Sequence, residues 1–241
     1  MKKIFLLFTI CNFLWAYSHY PGRYEIIEEA GSTVTYNITL LSNKDFTENV
    51  TIALNTWYAS PETNISFYPL TGNFVNLSSS SFDLPPGSRY SLDVGITVPK
   101  IEGEKRFEVA MSSHIPNSTF GLTKSVLFFM IIKDTEIVKL NLKSFDILVE
   151  GNTLKVKSGV ENLGNIHLRP RIEMKVTNED GTDEWVRVAD DIPVYPYSTR
   201  ILEKDIEKKI KKGEQSIEVK MLFYDTKGNL ISQEYKFRKN L

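Results

Sequence analysis

Three histidines, His19, His114 and His167, and two carboxylate doublets, Glu28-Glu29 and Asp190-Asp191, are the groups in this chain best suited to acid, base or metal chemistry. His114 and His167 are far apart in sequence. No HxH, HExxH or aspartate-rich calcium loop surrounds either, so their spacing gathers no metal ligands. His167 is expected to hydrogen-bond near its own turn instead. Both doublets fall in strand-like sequence, where adjacent side chains point to opposite faces, so neither doublet alone makes an acid/base pair. No G-x-S-x-G elbow and no phosphate-cradling glycine loop occurs. The expectation is a non-enzymatic protein with no metal and no cofactor.

Five Asn-x-Ser/Thr triplets, at Asn37, Asn49, Asn64, Asn76 and Asn117, are candidate glycan acceptors. Strand faces rich in Thr, Ser and Asn also generate such triplets without any glycan, so both readings stand.

The residues best suited to holding a partner are apolar. Val126, Leu127, Phe128, Phe129, Met130, Ile131 and Ile132 are apolar on both faces of a strand, whereas a two-layer sandwich has one face of each strand looking outward. Half of this run must be covered by something. A second domain, a crossing loop or a homodimer would do it; so would strand addition, in which the run is lent to a client.

The chain opens with a leader-like segment. Lys2 and Lys3 precede an apolar stretch, residues 4–15, and Ala16-Tyr17-Ser18 places small residues where a signal peptidase reads them, predicting a signal peptide over residues 1–18 and a mature start at His19. The stretch is shorter than the roughly 20 residues of a spanning helix, and no later segment is longer. No membrane insertion is therefore expected after leader removal. The single cysteine, Cys11, lies inside the leader and follows Ile10 rather than the small residue a lipid anchor needs. Without disulfides, stability must come from buried cores, which two domains of about 100 residues can supply. The formal net charge is −1, and losing Lys2 and Lys3 takes it to about −3, which speaks against a nucleic-acid partner. The lysines from Lys204 to Lys212 are interleaved with Glu203, Asp205 and Glu207 and read as a solvated face.

Alternation with a period of two positions these groups. Val34, Tyr36, Ile38 and Leu40 form one face of a strand; Val50, Ile52 and Leu54, then Tyr90, Leu92, Val94, Ile96 and Val98, repeat the pattern between turn clusters such as Pro85-Pro86-Gly87. A second set restarts beyond residue 138, with strands over 141–150, 153–162, 171–177, 184–189, 215–224 and 230–237. Residues 203–212 are either a helix carrying Ile206 and Ile210 or a strand end and loop. The fold class is all-β: two immunoglobulin-like antiparallel β-sandwich domains in tandem, 19–138 and 139–241.

Several segments carry family resemblances. The run Val160-Glu161-Asn162-Leu163-Gly164-Asn165-Ile166-His167-Leu168-Arg169-Pro170 joins two strands through a turn in which Gly164 is expected to take positive φ, and it resembles the second domain of bacterial and archaeal envelope proteins built from immunoglobulin-like modules. "FDLPPGSRYSLDVGITVP", "FEVAMSSHIPNS" and "KSVLFFMIIK" resemble strands of the first domain of periplasmic pilus chaperones; "YPYSTRILE" and "KKGEQSIEVKMLFYD" resemble the closing strands of the related modules. That family binds subunits through an exposed strand and fixes the subunit's C-terminal carboxylate with an early Arg and a Lys near that strand. By position the counterparts are Arg23 and Lys124, although neither lies in the family's usual local sequence. The resemblance implies a chaperone-like binder of an exported or cell-surface protein, in the periplasm or outer cell envelope, with homo-oligomerisation open. A structural or adhesive surface subunit is the alternative, and an exported glycan-active enzyme a third reading.

Overall fold

The computed structural model describes residues 17–60, 65–114 and 121–241. Every regular element there is a strand, and the strands form four sheets in two groups. In the first group, β1 (Tyr17–Tyr20), β3 (Thr33–Ser42), β8 (Arg89–Thr97) and β6 (Val75–Leu77) make one sheet. Facing it are β2 (Arg23–Glu28), β10 (Gly121–Ile132), β9 (Glu104–His114), β4 (Glu48–Ala59) and β5 (Ile65–Pro69), with β7 (Ser81–Leu84) paired to β4. The second group pairs β11 (Leu140–Glu150), β12 (Thr153–Asn162) and β15 (Thr199–Glu207) in one sheet, and β14 (Asp183–Ala189), β13 (Arg171–Thr177), β16 (Glu214–Tyr224) and β17 (Leu230–Asn240) in the other.

Each group closes on its own core, because alternate residues of every central strand turn inward. Ile38, Leu40, Leu92, Val94 and Ile96 from one sheet meet Phe107, Val109, Met111, Phe128 and Met130 from the other. In the second domain Leu154, Val156 and Leu202 meet Met174, Val176, Val219 and Phe223. The ladders are antiparallel except for β2 on β10, which runs parallel from Leu127 opposite Arg23 to Ile132 opposite Glu28. The first sheet starts earlier than the leader pattern suggests: β1 begins at Tyr17, a buried residue two places before His19.

Residues 203–212 resolve as strand and loop, since β15 runs through Glu207 and a single bridge then ties Ile210 to Asn178. Ile206 and Ile210 still reach the same core, which is why their four-residue spacing imitated a helical stripe. Among the described residues no helix is long and apolar enough to cross a membrane.

Candidate functional site

Strand β10 carries the apolar run, and both of its faces are occupied. Val126, Phe128, Met130 and Ile132 point into the first domain's core. Phe129 points the other way, packing edge-on to Trp57 at 5.3 Å, and Trp57 meets Tyr195 of the second domain at 5.1 Å. Leu127 packs partly buried on that cluster, and Ile131 joins the second domain's core. From Leu127 onward the strand is also flanked on both edges, by β9 and β2. The expectation that these residues form a client-binding surface is therefore corrected for positions 127–132: the second domain covers the outer face, and no edge is left to lend.

The same junction absorbs the Asn162–Pro170 motif. The Asn162 side chain ties its own turn, donating to the carbonyls of Ile166 and Val194 at 2.8 Å and accepting from the Gly164 amide at 2.9 Å. Asn165 reaches the connection between the domains: its side chain donates to the Thr135 carbonyl at 2.9 Å and accepts from the Ile137 amide at 2.6 Å, while its own carbonyl accepts from the Glu104 amide at 3.0 Å. A Cβ on Gly103 would stand 2.6 Å from Asn165, and Gly103 itself has φ +77, so this approach needs glycine twice over. Gly164 corrects the sequence reading. Its φ is not positive; glycine is needed because the Ile137 carbonyl oxygen occupies the space a Cβ would take.

His167 completes the clamp, and its partners come from the first domain rather than from its own turn. Its backbone amide donates to Glu104 Oε2 at 2.9 Å, its ring Nδ1 contacts the same oxygen, and its Nε2 lies 3.8 Å from Glu25 Oε1. Burial alone would lower the imidazole pKa, but the Glu104 and Glu25 carboxylates outweigh burial and hold it above its usual value. Arg169 pairs with Glu25 at 2.9 Å, and its guanidinium also donates to the Asp191 carbonyl at 3.1 Å. The hydrogen bond from His167, against some burial and aided by the charges of Arg169, His167 and Arg23, brings Glu25 down to about 2. The two acid doublets are split: Glu28 accepts from Tyr36 and Glu29 pairs with Lys133, while Asp190 pairs with Arg171 and Arg187. None of them faces its neighbour as an acid/base pair.

Among the described residues, one edge of β10 has no strand beside it ahead of Leu127. β9 pairs with it along Gly121 to Ile131, but β2 joins only at Leu127. The Leu127 amide donates toward Gly22 on the β2 side, so the two-residue period directs the Ser125 and Thr123 amides to that same side, where no described strand lies. A shallow groove lined by Ser18, His19, Asn43, Lys124 and Ser125 runs beside this segment. Burial and the nearby Lys124 lower the His19 imidazole pKa, while a hydrogen bond to the Ser125 backbone opposes them.

The two bases singled out by resemblance flank the place where the open edge begins. Arg23 is the first residue of β2, opposite Leu127, exposed and paired with Glu25 at 3.2 Å. Lys124 lies three positions upstream on β10, its ammonium 4.9 Å from the Tyr17 ring centre. Burial lowers the Lys124 pKa and the Glu48 charge opposes that. Of the sequon residues, Asn37, Asn49 and Asn76 are exposed on β3, β4 and β6, and Asn64 and Asn117 lie outside the described residues. Asn37 bonds to Ser91 and Asp93, and Asn49 to Asp83, so cross-strand hydrogen bonds already account for both side chains.

No protein-family model and no curated protein matches this sequence. Solved structures do match. The class 5 fimbriae chaperone CfaA is similar with a TM-score of 0.56 at 12% identity, covering 90% of this chain and 98% of its own. A chaperone–tip adhesin complex of CFA/I fimbriae biogenesis gives 0.53 at 12% identity, covering 92% and 98%. At such identity the likeness is one of fold: this chain has the two-domain immunoglobulin-like architecture of those pilus chaperones.

Proposed function

We propose that this chain is an exported, chaperone-like protein that binds an extended segment of an exported or cell-surface client along the open edge of β10. The observation that carries this reading is the asymmetry of β10: from Leu127 on it is sealed between two strands, while over Gly121 to Val126 no described strand pairs with its second edge, and Lys124 and Ser125 there line the groove. A client strand would pair with that edge, with main-chain hydrogen bonds supplying affinity and side-chain contacts supplying specificity. Lys124 and Arg23, at the inner end of the edge, would meet an acidic group on the client. The likeness to CfaA and to a chaperone held with a tip adhesin supports a protein client in the periplasm or outer envelope. No enzymatic step, cofactor or nucleic acid enters this reading.

A surface subunit, structural or adhesive, is the second reading, and it has one observation on its side: edge strand β5 exposes Ile65, Phe67 and Tyr68. Capture from the organism's own envelope extract followed by hydrogen exchange separates the two. The chaperone-like reading expects the Thr123 and Ser125 amides to exchange freely in the isolated protein and to be protected in the complex. Protection confined to β5 would favour the surface-subunit reading.

A further inference from the structure

We propose that maturation cuts this chain between Ala16 and Tyr17, leaving Tyr17 as the first residue of the exported protein; the inference rests on the export reading above. The leader pattern taken alone points two residues further on, to the bond after Ser18. The structure gives both intervening residues a place in the folded domain. Tyr17 has no exposed surface and belongs to the first domain's core. Its hydroxyl donates to the Met111 carbonyl at 2.6 Å, its ring lies under the Lys124 ammonium, and its backbone stands opposite Ser42 at the end of the β1–β3 ladder. Ser18 pairs opposite Leu41 and accepts a hydrogen bond from the Asn43 side chain at 2.7 Å.

A cut after Ser18 would halve β1, which has four residues, and remove a filled aromatic position from between the two sheets. It would also strip the floor from beneath Lys124, beside the open edge of β10. A cut after Ala16 keeps all of this and offers the peptidase a small residue next to the scissile bond, with Leu14 rather than a small residue two positions before it. The step is a hydrolysis whose co-reactant is water. The hydroxyl adds to the Ala16 carbonyl carbon, the bond to the Tyr17 nitrogen breaks, that nitrogen takes the proton, and the leader leaves with a new carboxylate. It acts on the extended chain in transit, before Tyr17 is buried.

Intact mass and N-terminal sequencing of the full chain, expressed with its own leader and recovered from the export compartment, test this directly. The expected first residue is Tyr17. A first residue of His19 would overturn the inference and leave export standing, whereas a cell-retained chain still beginning at Met1 would remove the export reading and the inference with it. Ser18→Leu adds an independent reading, since a bulky residue blocks a cut immediately after position 18: processing of S18L at an unchanged rate is expected, and its arrest would overturn the proposal. Leaderless chains beginning at Tyr17 and at His19 should differ in melting temperature by roughly 10 °C in favour of the former. Equal melting would show that Tyr17 is dispensable to the fold and that the physical reason is wrong.

Discussion

His167 and Glu104 meet across the two domains through both the backbone and the ring: one carboxylate oxygen accepts from the His167 amide at 2.9 Å and contacts its Nδ1 as well. A protonated imidazole suits that oxygen and Glu25 beyond it, so the junction depends on pH. The imidazole pKa is raised in the folded protein, so its contribution is fully present below about 6.5 and is lost as pH rises through the raised value. Glu25 is shifted the other way, to about 2, so its contribution is present above about 4.5 and is lost as pH falls toward about 2. The His167–Glu25 contact contributes to both shifts. The stability advantage of the wild type over His167→Gln should be largest between about pH 4.5 and 6.5, on the order of 2 kcal/mol, and should shrink by pH 9. Thermal melts of both proteins across that range check it; a constant offset at every pH would mean that the imidazole charge plays no part.

Gly164→Ala should destabilise the protein by about 1–3 kcal/mol, because the added methyl meets the Ile137 backbone carbonyl and backbone cannot step aside as a side-chain end can. Gly164→Val should be worse. Chemical denaturation measures both. An alanine variant as stable as the wild type would show that the connection at Ile137 yields.

Phe128→Asp and Phe129→Asp should fail in different ways. Phe128 is stacked on Phe107 at 4.6 Å inside the first sandwich, so a buried charge there should unfold that domain. Phe129 touches Trp57 and His167 at the junction, so its replacement should part the domains while each keeps its sheets. Limited proteolysis across residues 133–139, read beside far-UV circular dichroism, distinguishes the two. Accelerated cutting with an unchanged β spectrum is expected for Phe129→Asp alone.

Strand positions were legible wherever one face is buried and the other wet: the alternation at Val34 to Leu40 matches the inward and outward residues of β3. Strand β10 announced itself by being apolar on both faces, but what covers it did not. Trp57 and Tyr195 lie far away in sequence and carry no local sign of meeting Phe129. The Asn162–Pro170 run was readable as a turn and not as a clamp, because its partners Gly103, Glu104 and Glu25 come from the other domain. The open edge was invisible for a different reason. It depends on where β2 stops pairing, a property of register rather than of residue type.

Thr123→Pro tests the central claim most directly. The Thr123 amide is directed at the side of β10 where no described strand lies, so proline removes one donor from the row proposed to meet the client and leaves the ladder to β9 in place; the side-chain contact to Ser112 is the only described bond lost. The variant should melt within a few degrees of the wild type and should lose client capture from envelope extract by about tenfold or more, since one main-chain hydrogen bond and the close approach of the client strand go together. Undiminished capture by a folded Thr123→Pro protein would contradict the account and leave the surface-subunit reading in its place.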